Sequence, residues 1–347
     1  MSRSSTPLSL SVVILAAGQG KRMKSALPKV LQPLAGKPLL KHVIDAARAL
    51  QPSAVSVVYG HGGDAVREAL KAEEVSWALQ AQQLGTGHAV MQALPALKDD
   101  ALVLVLYGDV PLIRRSTLEE LVKLAGPKAM SLLTMVVENP AGYGRIVRNA
   151  RGQVLKIVEQ KDASKAQLRI KECNTGILVA PAKLLKKWLG KLKNNNSQGE
   201  YYLTDIVAMA VKDKAKVNPL VSPTVAEVLG INDKVQLAEV EGLRRAQVAR
   251  DLMVAGVTLA DPARLDVRGT LNHGSDVFVT MPGSDCPAKN SRHEIRNFTI
   301  DLLVAGLVPY PLERRVPHPE SCTWILKSIH SDDVNHPAGA VFLHEDF

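Results

Sequence analysis

The first 230 residues alternate short apolar segments with amphipathic ones. Uninterrupted apolar runs at 11–17, 55–59 and 102–106 predict buried strands. Between them, apolar residues recur at helical spacing over 39–50, and 64–72 predicts a further helix. Apolar strands that are separated by helices are typical of a parallel sheet covered on both faces. The pattern therefore predicts an α/β domain with a mostly parallel sheet.

From residue 232 the pattern changes to that of one long helix. Asn232 is a preferred residue at a helix N-cap, and Gly256 suits the position just beyond the C-terminal end. At about 1.5 Å per residue, a helix between them is roughly 30 Å long. Its expected apolar stripe consists of Val235, Val240, Leu243, Leu252 and Met253.

The rest of the chain has shorter elements. Residues 257–279 predict short strands with turns, whereas 281–347 is rich in proline, has no sustained period and predicts an irregular tail. The sequence contains no repeat of fixed period. We expect one α/β domain over 1–231, a helical linker over 232–256 and short strands over 257–280, followed by the tail.

The composition is that of a globular protein. Of the 347 residues, 46% are hydrophobic and 22% are charged, which excludes a disordered polyelectrolyte and a polytopic membrane protein. The apolar runs are shorter than the ~20 residues of a spanning helix, and residues 1–11 lack the apolar segment of a signal peptide. Three cysteines cannot form a disulfide framework. We expect a cytoplasmic protein that binds no membrane.

The net charge of +9 comes from 43 Lys and Arg against 34 Asp and Glu. Residues 281–347 hold 6 basic and 9 acidic residues, so the positive excess lies in the first 280 residues. The sequence has no basic run and no interleaved aromatic residues of the kind that bind nucleic acid. Charge alone does not decide between nucleic acid and small molecules with several phosphates. We favour the small molecules and expect no nucleic acid as a partner.

The first candidate site is the glycine-rich segment that follows the first strand. Its glycines and alanines let the backbone approach a ligand, and Arg22 and Lys29 add two cations. The Gly-Lys-Ser/Thr of a P-loop is absent, and Met23 replaces the third glycine of a dinucleotide fingerprint. The alternative is an ordinary strand-to-helix turn with solvated basic side chains.

A second candidate site is the segment QAQQLGTGHA at 80–89. Glutamine amides beside a glycine turn can donate to and accept from the edge of a nucleobase. A polar loop before a helix explains the segment equally well. His88 fits a helix-start or packing residue better than a catalytic base.

The third candidate is Asp109, which follows the apolar run at 102–106. A carboxylate at the end of a buried strand is costly unless it is paired or binds a cation. Mg²⁺ prefers hard oxygen ligands and takes one or two carboxylates together with phosphates and waters. Asp109 is therefore the leading metal ligand, with Gly108 making room for a ligand; a carboxylate that caps the next turn is the alternative.

Three later segments place polar groups beside glycines or at strand ends, where they could bind the hydroxyls of a sugar. Each could also be a hairpin turn or a surface strand. These segments are GYGRI at 142–146, IVEQKD at 157–162 and NTG at 174–176. A fourth segment, EYYLTD at 200–205, is a further polar-aromatic group that could equally be a helix cap.

In this order, the motifs resemble the uridylyltransferase half of the bacterial bifunctional N-acetylglucosamine-1-phosphate uridylyltransferase/glucosamine-1-phosphate N-acetyltransferases. The resemblance covers about residues 8–280 and implies a Rossmann-like nucleotidyltransferase domain, whose mostly parallel sheet has helices on both faces. A long helical arm and at most the first strands of a left-handed β-helix would follow. The motifs are LAAGQGKRM, LPKVL, QAQQLGTGHA, YGDVPLI, GYGRI, IVEQKDA, NTGILVA, GEYYLTDI and DPARLDVRGT.

The resemblance implies a role for each matching residue. Arg22 and Lys29 would be the catalytic cations on the phosphates, and Asp109 and Asn232 would bind Mg²⁺. Gly108 would lie beside them. The base-side residues would be Leu15, Ala16, Ala17, Gly18, Gln80, Gly85 and Thr86. The sugar-side residues would be Tyr107, Gly144, Glu159 and Asn174.

The implied reaction converts UTP and N-acetylglucosamine 1-phosphate into UDP-N-acetylglucosamine and pyrophosphate, with Mg²⁺ as cofactor, for cell-envelope precursors. One alternative is a nucleotidyltransferase for another nucleotide or sugar phosphate, such as a glucose-1-phosphate thymidylyltransferase. Gln80 and Asn174 oppose it only through the resemblance. A second alternative is a non-catalytic sugar-nucleotide-binding protein, which would not need the pair of Asp109 and Asn232.

The resemblance ends near residue 280, where the family continues with the hexapeptide repeats of a β-helix. Residues 281–347 lack such repeats. We expect the acetyltransferase activity to be lost, through a shifted reading frame or in a truncated relative. Whether the homotrimer of the family forms without these repeats is open.

Overall fold

The computed structural model describes residues 8–60, 62–268, 271–273, 277–279 and 298–299. The predicted irregular tail therefore lies outside the described residues, apart from one two-residue strand. The strands are β1 (Ser9–Ala16), β2 (Pro33–Leu34), β3 (Lys37–Pro38), β4 (Ala54–Tyr59), β5 (Ser76–Leu79), β6 (Ala101–Tyr107), β7 (Ala129–Val136), β8 (Arg145–Arg148), β9 (Val154–Val158), β10 (Glu172–Pro181), β11 (Lys216–Val221), β12 (Thr258–Leu259), β13 (Asn272–His273), β14 (Phe278–Val279) and β15 (Phe298–Thr299). The helices are α1 (Leu39–Arg48), α2 (Gly63–Ala69), α3 (Thr86–Ala93), α4 (Arg115–Lys123), α5 (Ala182–Leu189), α6 (Asp205–Lys212) and α7 (Lys234–Val254).

One sheet organises the N-terminal part of the chain. Its strands follow the order β11-β7-β10-β6-β1-β4-β5, and β8 pairs with both β10 and β9. Strands β1, β4, β5 and β6 are mutually parallel, as are β7 and β11, whereas β10 is antiparallel to both of its neighbours β6 and β7. The prediction of a mostly parallel sheet is confirmed.

Helices cover both faces of this sheet, because alternate residues of each strand point to opposite faces. Val13 of β1 belongs to one buried cluster, together with residues of α3, α5 and α6 that include Trp188. Val12 and Ile14 belong to a second cluster, together with residues of α1, α2 and α4. Strands that are buried on both sides explain the uninterrupted apolar runs of the sequence.

The long helix α7 corrects two predictions. It begins at Lys234 rather than after Asn232, because the side chain of Asp233 accepts a hydrogen bond from Gln236 N (2.9 Å) and so acts as the N-cap. The predicted apolar stripe is also wrong. Val240 and Leu252 are buried, whereas the other three predicted members (Val235, Leu243 and Met253) are exposed. An apolar side chain on a helix does not by itself identify a buried face.

The C-terminal end of α7 agrees with the sequence. Gly256 has a φ of 98°, its N–H bonds to the Met253 carbonyl, and Val257 N–H bonds to the Leu252 carbonyl. These two bonds form a Schellman motif, in which the left-handed position favours glycine. Beyond it, β12 pairs in parallel with β14, and β13 pairs antiparallel with β15.

The chain divides into two compact units. The first consists of Met1–Gln32 and Pro38–Gln236, and the second of Pro33–Lys37 and Leu237–Phe347. Within the second unit, Ala35 N–H donates to the Glu241 carboxylate (3.0 Å), which also forms an ion pair with Arg268 (3.0 Å). The domain boundaries expected at residues 231, 256 and 280 stay predictions.

A buried carboxylate fixes the segment that leads to Asn232. Glu227 is 1% exposed and accepts hydrogen bonds from Thr117 Oγ1 (2.8 Å) and Ser222 Oγ (2.9 Å). Ile231 N–H then bonds to the Asp109 carbonyl oxygen (2.9 Å). These contacts tie the chain before Asn232 to α4 and to the end of β6.

The Thr117→Val variant tests this anchor. It should lower the free energy of unfolding by about 1–3 kcal/mol, because one oxygen of the buried Glu227 carboxylate loses its donor. Urea unfolding measures the change. Thr224→Val is the matched control: the Thr224 hydroxyl is buried and has no hydrogen-bond partner among the described residues, so its removal should cost less than ~0.5 kcal/mol. Equal losses in the two variants would contradict the anchoring role.

Candidate active site

The candidate site lies where the carboxyl ends of parallel strands meet. Leu15 of β1 is in register with Tyr107 of β6, and Ala16 is in register with Tyr59 of β4. The three loops that follow these strands therefore start side by side at one edge of the sheet. Ligands of open α/β sheets bind at such an edge.

The loop after β1 supplies backbone and open space. The Leu15 carbonyl is occupied by a hydrogen bond from Gly108 N–H (2.9 Å), and Ala16 and Ala17 are buried. Gly18 is exposed, and nothing lies within 4 Å of the position that a Cβ would take. The free face of the loop is therefore at Gly18, as expected for a segment that a ligand approaches.

Gly108 allows α1 to pack against the end of β1. A Cβ on Gly108 would lie 3.2 Å from Leu40 Cδ1 and 3.3 Å from Ala16 Cβ. The interpretation that this glycine also makes room for a ligand stays a prediction.

Gly20 holds Lys29 in place. Gly20 has a φ of 60°, and a Cβ there would lie only 2.6 Å from Lys29 Cβ. Lys29 itself starts a short 3₁₀ turn, Lys29–Leu31, in which Val30 and Leu31 are buried. The turn and the close approach of Gly20 together direct the lysine side chain.

The ammonium group of Lys29 lies between the two predicted metal ligands. Its Nζ is 2.5 Å from Asp109 Oδ2 and 3.4 Å from Asn232 Oδ1. The side chains of Lys29 and Asp109 are only 12% and 16% exposed. Three predicted site residues from three separate segments thus meet at one point.

The helix cap explains why the Asn232 side chain is available to the site. The capping role passes to Asp233, and the Asn232 N–H donates to Gln236 Oε1 (2.7 Å). Asn232 Nδ2 points to the Gly230 carbonyl at 3.4 Å, which directs the amide oxygen toward Lys29. The residue that the sequence suggested as a cap therefore presents its amide oxygen to Lys29 instead.

The arrangement of Asp109 and Asn232 fits a divalent cation. A carboxylate oxygen and an amide oxygen converge on one positive charge, and both are the hard donors that Mg²⁺ prefers. In the part of the chain that the structure describes, there is no group of three or more His, Cys, Asp or Glu side chains that could hold a metal. A site with two protein ligands suits an ion whose other ligands are phosphate oxygens and water.

Arg22 lies apart from this cluster. It belongs to the exposed 3₁₀ turn Lys21–Met23 that follows Gly20, and its guanidinium makes no hydrogen bond or ion pair with any residue in the described ranges. The structure therefore places Arg22 on the same loop as Lys29 but does not bring their two charged groups together. Its role on the phosphates stays a prediction.

The base-side residues of the second segment lie around α3. Gln80 is 3% exposed, and its amide nitrogen contacts the Gly85 carbonyl and His88 Nδ1, both at 3.1 Å. Gly85 has a φ of 109°, and a Cβ there would lie 2.7 Å from the Tyr201 carbonyl. His88 contacts Gln92 as well (3.2 Å), which agrees with its prediction as a packing residue.

Tyr107 connects the base side of the site with the sugar side. Burial raises the pKa of its hydroxyl well above the ordinary value, and the negative charges of Glu159 and Asp109 add to this shift, although a hydrogen bond with Thr86 opposes it. The phenol is therefore neutral and can donate. A Cβ on Gly176 would lie 2.4 Å from the Tyr107 ring, so this glycine, which has a φ of 86°, gives the ring its place.

Glu159, Gly144 and Asn174 form the sugar side. Asn174 N–H bonds to the Gly144 carbonyl (2.9 Å), and a Cβ on Gly144 would lie 3.4 Å from Glu159 Oε2. Burial raises the pKa of the Glu159 carboxyl group; the Thr204 hydroxyl (2.9 Å) opposes the shift, and the charge of Asp205 increases it. These three residues, which the sequence places 15 or more positions apart, line one surface beside Tyr107.

Three residues with clear roles here were not among the predicted site residues. Thr204 precedes α6, and its hydroxyl bonds to Glu159 instead of capping the helix. Gly20 shapes the position of Lys29, and Gly176 that of Tyr107. The glycines stand within motifs that the sequence analysis identified, but what each glycine packs against depends on the tertiary structure.

Comparisons with known proteins match part of this chain to an NTP transferase domain. Residues 12–176 match the family model of the MobA-like NTP transferase domain. The chain is 60% identical over 272 residues to the bifunctional protein GlmU of Azoarcus sp. (strain BH72), and 58% identical over 272 residues to that of Dechloromonas aromatica (strain RCB). Each match covers 78% of this chain and 60% of the relative, so the chain spans about three fifths of the relatives' length.

Among solved structures, the chain is similar to one titled as a putative glucose-1-phosphate thymidylyltransferase from Bacillus anthracis in complex with a sucrose. The TM-score is 0.53 and the identity is 20%, with 68% of this chain and 95% of that chain covered. At this identity the likeness shows the fold alone, a Rossmann-like α/β sheet. No helix among the described residues is long and apolar enough to cross a membrane.

Replacing Gly20 by alanine tests how Lys29 is held. We expect Gly20→Ala to lower the free energy of unfolding by at least ~1 kcal/mol more than Gly152→Ala, as measured by urea unfolding. Both glycines have a positive φ, 60° and 76°, but the Cβ at position 152 would meet nothing within 4 Å, whereas the Cβ at position 20 would collide with Lys29. Equal losses would contradict the contact.

The raised pKa of Glu159 predicts a pH-dependent stability. A carboxyl group whose pKa is higher in the folded chain binds its proton more tightly there than in the unfolded chain. Its contribution to the free energy of unfolding therefore becomes more favourable as the pH falls from above the folded pKa toward the unfolded value of about 4.5. The stability gained by Glu159→Gln should therefore be greatest at pH 8 and shrink toward pH 5 in urea unfolding.

Glu172→Gln is the control with the opposite sign. Burial alone would raise the pKa of Glu172, but its hydrogen bonds with Arg148 (2.6 and 2.7 Å) and Thr134 hold it below the usual value. Glu172→Gln removes this carboxylate and should therefore lower the free energy of unfolding by a constant amount from pH 8 to pH 5. The loss should be smaller below about pH 4.5. If both variants change in parallel between pH 8 and pH 5, the environment assigned to Glu159 is wrong.

Proposed function

We propose that this chain, which carries a nucleotidyltransferase domain and is similar to the N-terminal part of bifunctional GlmU proteins, transfers UMP from UTP to N-acetylglucosamine 1-phosphate. The products are UDP-N-acetylglucosamine and pyrophosphate. The observation that carries the proposal is the position of Asp109. Its carboxylate contacts the cation Lys29, and it stands two residues after Tyr107, whose ring packs against Gly176 on the sugar side. A phosphate site and a polyol site thus adjoin.

The nucleotide would enter along the loop after β1. The open space at Gly18 admits the base, and Gln80 and Gly85, which are bonded to one another, offer a rigid polar edge. Thr86 begins α3, and its hydroxyl already accepts from Leu203 N–H (3.1 Å). We assign the recognition of uracil to this group because a fixed amide beside backbone groups can both donate and accept.

The phosphates would lie near Lys29 and Arg22. Lys29 is close to the proposed metal ligands, and Arg22 is exposed on the same loop, where its planar group can form two parallel hydrogen bonds to a phosphate. Asp109 and Asn232 would hold Mg²⁺. When it is bound, this ion supplies positive charge to the phosphate oxygens.

The sugar would lie against Tyr107, Gly144, Glu159 and Asn174. Glu159 offers a carboxylate in a buried setting, where hydrogen bonds from hydroxyl groups are strong. The neutral Tyr107 hydroxyl can donate to an oxygen of the sugar, and the Gly144 backbone lies beside Glu159. This combination of donor and acceptors suits the hydroxyl and acetamido groups of N-acetylglucosamine.

The reaction needs no nucleophile from the protein. A phosphate oxygen of the sugar phosphate attacks the α-phosphorus of UTP, the new P–O bond forms as the bond to the β-phosphate oxygen breaks, and the electron pair leaves with pyrophosphate. Lys29 and Arg22 hold the triphosphate and neutralise charge that develops on its oxygens. The protein therefore contributes position and electrostatics.

The proposal covers uridylyl transfer alone, in the cytoplasm. The similarity to bifunctional relatives spans 272 residues of this chain, and residues 281–347 carry no hexapeptide repeat. We propose no acetyltransferase activity for this chain, and assays with acetyl-CoA and glucosamine 1-phosphate test this statement directly.

Two alternative functions remain open to test. A nucleotidyltransferase for another substrate pair would have the same fold, as the similarity to a putative thymidylyltransferase structure illustrates. A non-catalytic binding protein would keep the pocket but release no pyrophosphate. The pairing of Asp109 with Asn232 favours a catalyst over a mere binding protein.

Pyrophosphate release by the purified full chain decides among these functions. With Mg²⁺, the pair of UTP and N-acetylglucosamine 1-phosphate should react at least ~10-fold faster than dTTP, CTP, ATP or GTP with the same sugar, or UTP with glucose 1-phosphate. EDTA should abolish the release. A faster rate with another pair would assign another substrate, and no release with any pair would leave a binding protein.

Lys29→Ala tests the catalytic assignment. Loss of this charge should lower turnover about 100-fold, which corresponds to about 3 kcal/mol of transition-state stabilisation. Lys24→Ala removes an exposed charge from the same segment and should change turnover less than ~2-fold. Near-normal turnover in a folded Lys29→Ala variant would remove Lys29 from the mechanism.

A further inference from the structure

Lys29 occupies the position that the proposed function assigns to a metal ion. Its Nζ is 2.5 Å from Asp109 Oδ2 and 3.4 Å from Asn232 Oδ1, and these two side chains are the ones expected to bind Mg²⁺. An ammonium group and a divalent ion at the same pair of side chains compete for one negative charge and for the same space. The two positive charges would also repel each other at such short range.

The surroundings of Lys29 fix its backbone and leave its ammonium group able to move. Val30 and Leu31 anchor the 3₁₀ turn in the core, and Gln32 beyond it accepts a hydrogen bond from Lys234 Nζ (2.5 Å). Gly20 packs against Lys29 Cβ, near the root of the side chain. The rest of the four-carbon stem has rotatable bonds, so the ammonium can leave Asp109 without a change in the turn.

The two partners of Lys29 have no comparable freedom. Asp109 is the second residue after β6, and its carbonyl is bonded to Ile231 N–H (2.9 Å). Asn232 is fixed through its N–H to Gln236 and through its side chain to Gly230. When a second cation enters, the lysine is therefore the group that moves.

We propose that Lys29 and the divalent metal compete for Asp109 and Asn232, and that entry of the metal releases the Lys29 ammonium toward the incoming triphosphate. Before the metal binds, Lys29 is the counterion that neutralises Asp109 and keeps its carboxylate beside the Asn232 amide. After the metal binds, the same charge is free to contact phosphate. This inference rests on the proposed function for the identity of the metal ligands.

Metal binding without nucleotide tests the competition. Mn²⁺ is titrated into the full chain and free Mn²⁺ is measured by electron paramagnetic resonance. Lys29→Met should bind Mn²⁺ at least ~10-fold more tightly than the wild type, since a competing cation is gone. Lys24→Met is the matched control, because it removes an equal charge from an exposed position of the same segment; its affinity should stay within ~2-fold of the wild type. Equal or weaker binding by Lys29→Met would overturn the proposal.

A measurement on the wild-type chain keeps the proposal testable if Lys29→Met does not fold. Lysine amines are methylated with formaldehyde and a borohydride, and the modified peptides are quantified by mass spectrometry. Mg²⁺ alone should raise the methylation rate of Lys29 severalfold and leave that of Lys24 unchanged. The rise should disappear in Asp109→Asn. An unchanged or lower rate at Lys29 in the presence of Mg²⁺ would overturn the proposal.

Neither measurement uses turnover, so the two proposals can fail separately. If the wild type releases no pyrophosphate but shows both effects on metal binding, the proposed function fails and the competition stands. If the wild type releases pyrophosphate but Lys29→Met gains no affinity for Mn²⁺, the competition alone fails.

Discussion

The carboxylate of Asp109 imposes the main constraint on this site. It follows a strand whose first six residues are buried, and its own side chain is 16% exposed, so its charge must be matched by a cation. Lys29 supplies that cation from a loop 80 positions earlier, and Asn232 adds a second oxygen from the segment just before α7. Three structural features hold these side chains close together. They are Gly20 beside Lys29, Asp233 as the cap of α7, and the buried Glu227 carboxylate that anchors the segment before Asn232.

The topology of the sheet explains why Asp109 joins two binding surfaces. Strand β6 lies between β1 on one side and the antiparallel β10 on the other. The base-side residues follow β1 and β5, which lie to one side of β6, whereas Gly144, Glu159 and Asn174 come from the β8, β9 and β10 region on the other side. A residue at the end of β6 is therefore within reach of both. A transferase that joins a nucleotide to a sugar phosphate needs its nucleotide site and its sugar site to adjoin in this way.

Much of this architecture could be predicted from the sequence, because strands buried on both faces must be continuously apolar. The runs that include Val12 and Val105 predicted β1 and β6, and the acidic residue after β6 indicated a residue that needs a cation, as its contact with Lys29 shows. The first residue and the buried residues of α7 were harder to predict. Asn232 and Asp233 are both good caps, and local sequence could not tell which of them the tertiary structure would use, nor which apolar residues of the helix would be buried. The partner of Thr204 likewise depends on how α6 packs near Glu159.

Crystals of the full chain grown with UTP and Mn²⁺ test the central claim most directly, because anomalous scattering locates the metal. The account predicts one Mn²⁺ ion within about 2.3 Å of both an Asp109 carboxylate oxygen and the Asn232 amide oxygen, with Lys29 Nζ on a phosphate oxygen of UTP. A metal bound away from Asp109 and Asn232, with Lys29 still paired to the carboxylate, would contradict it.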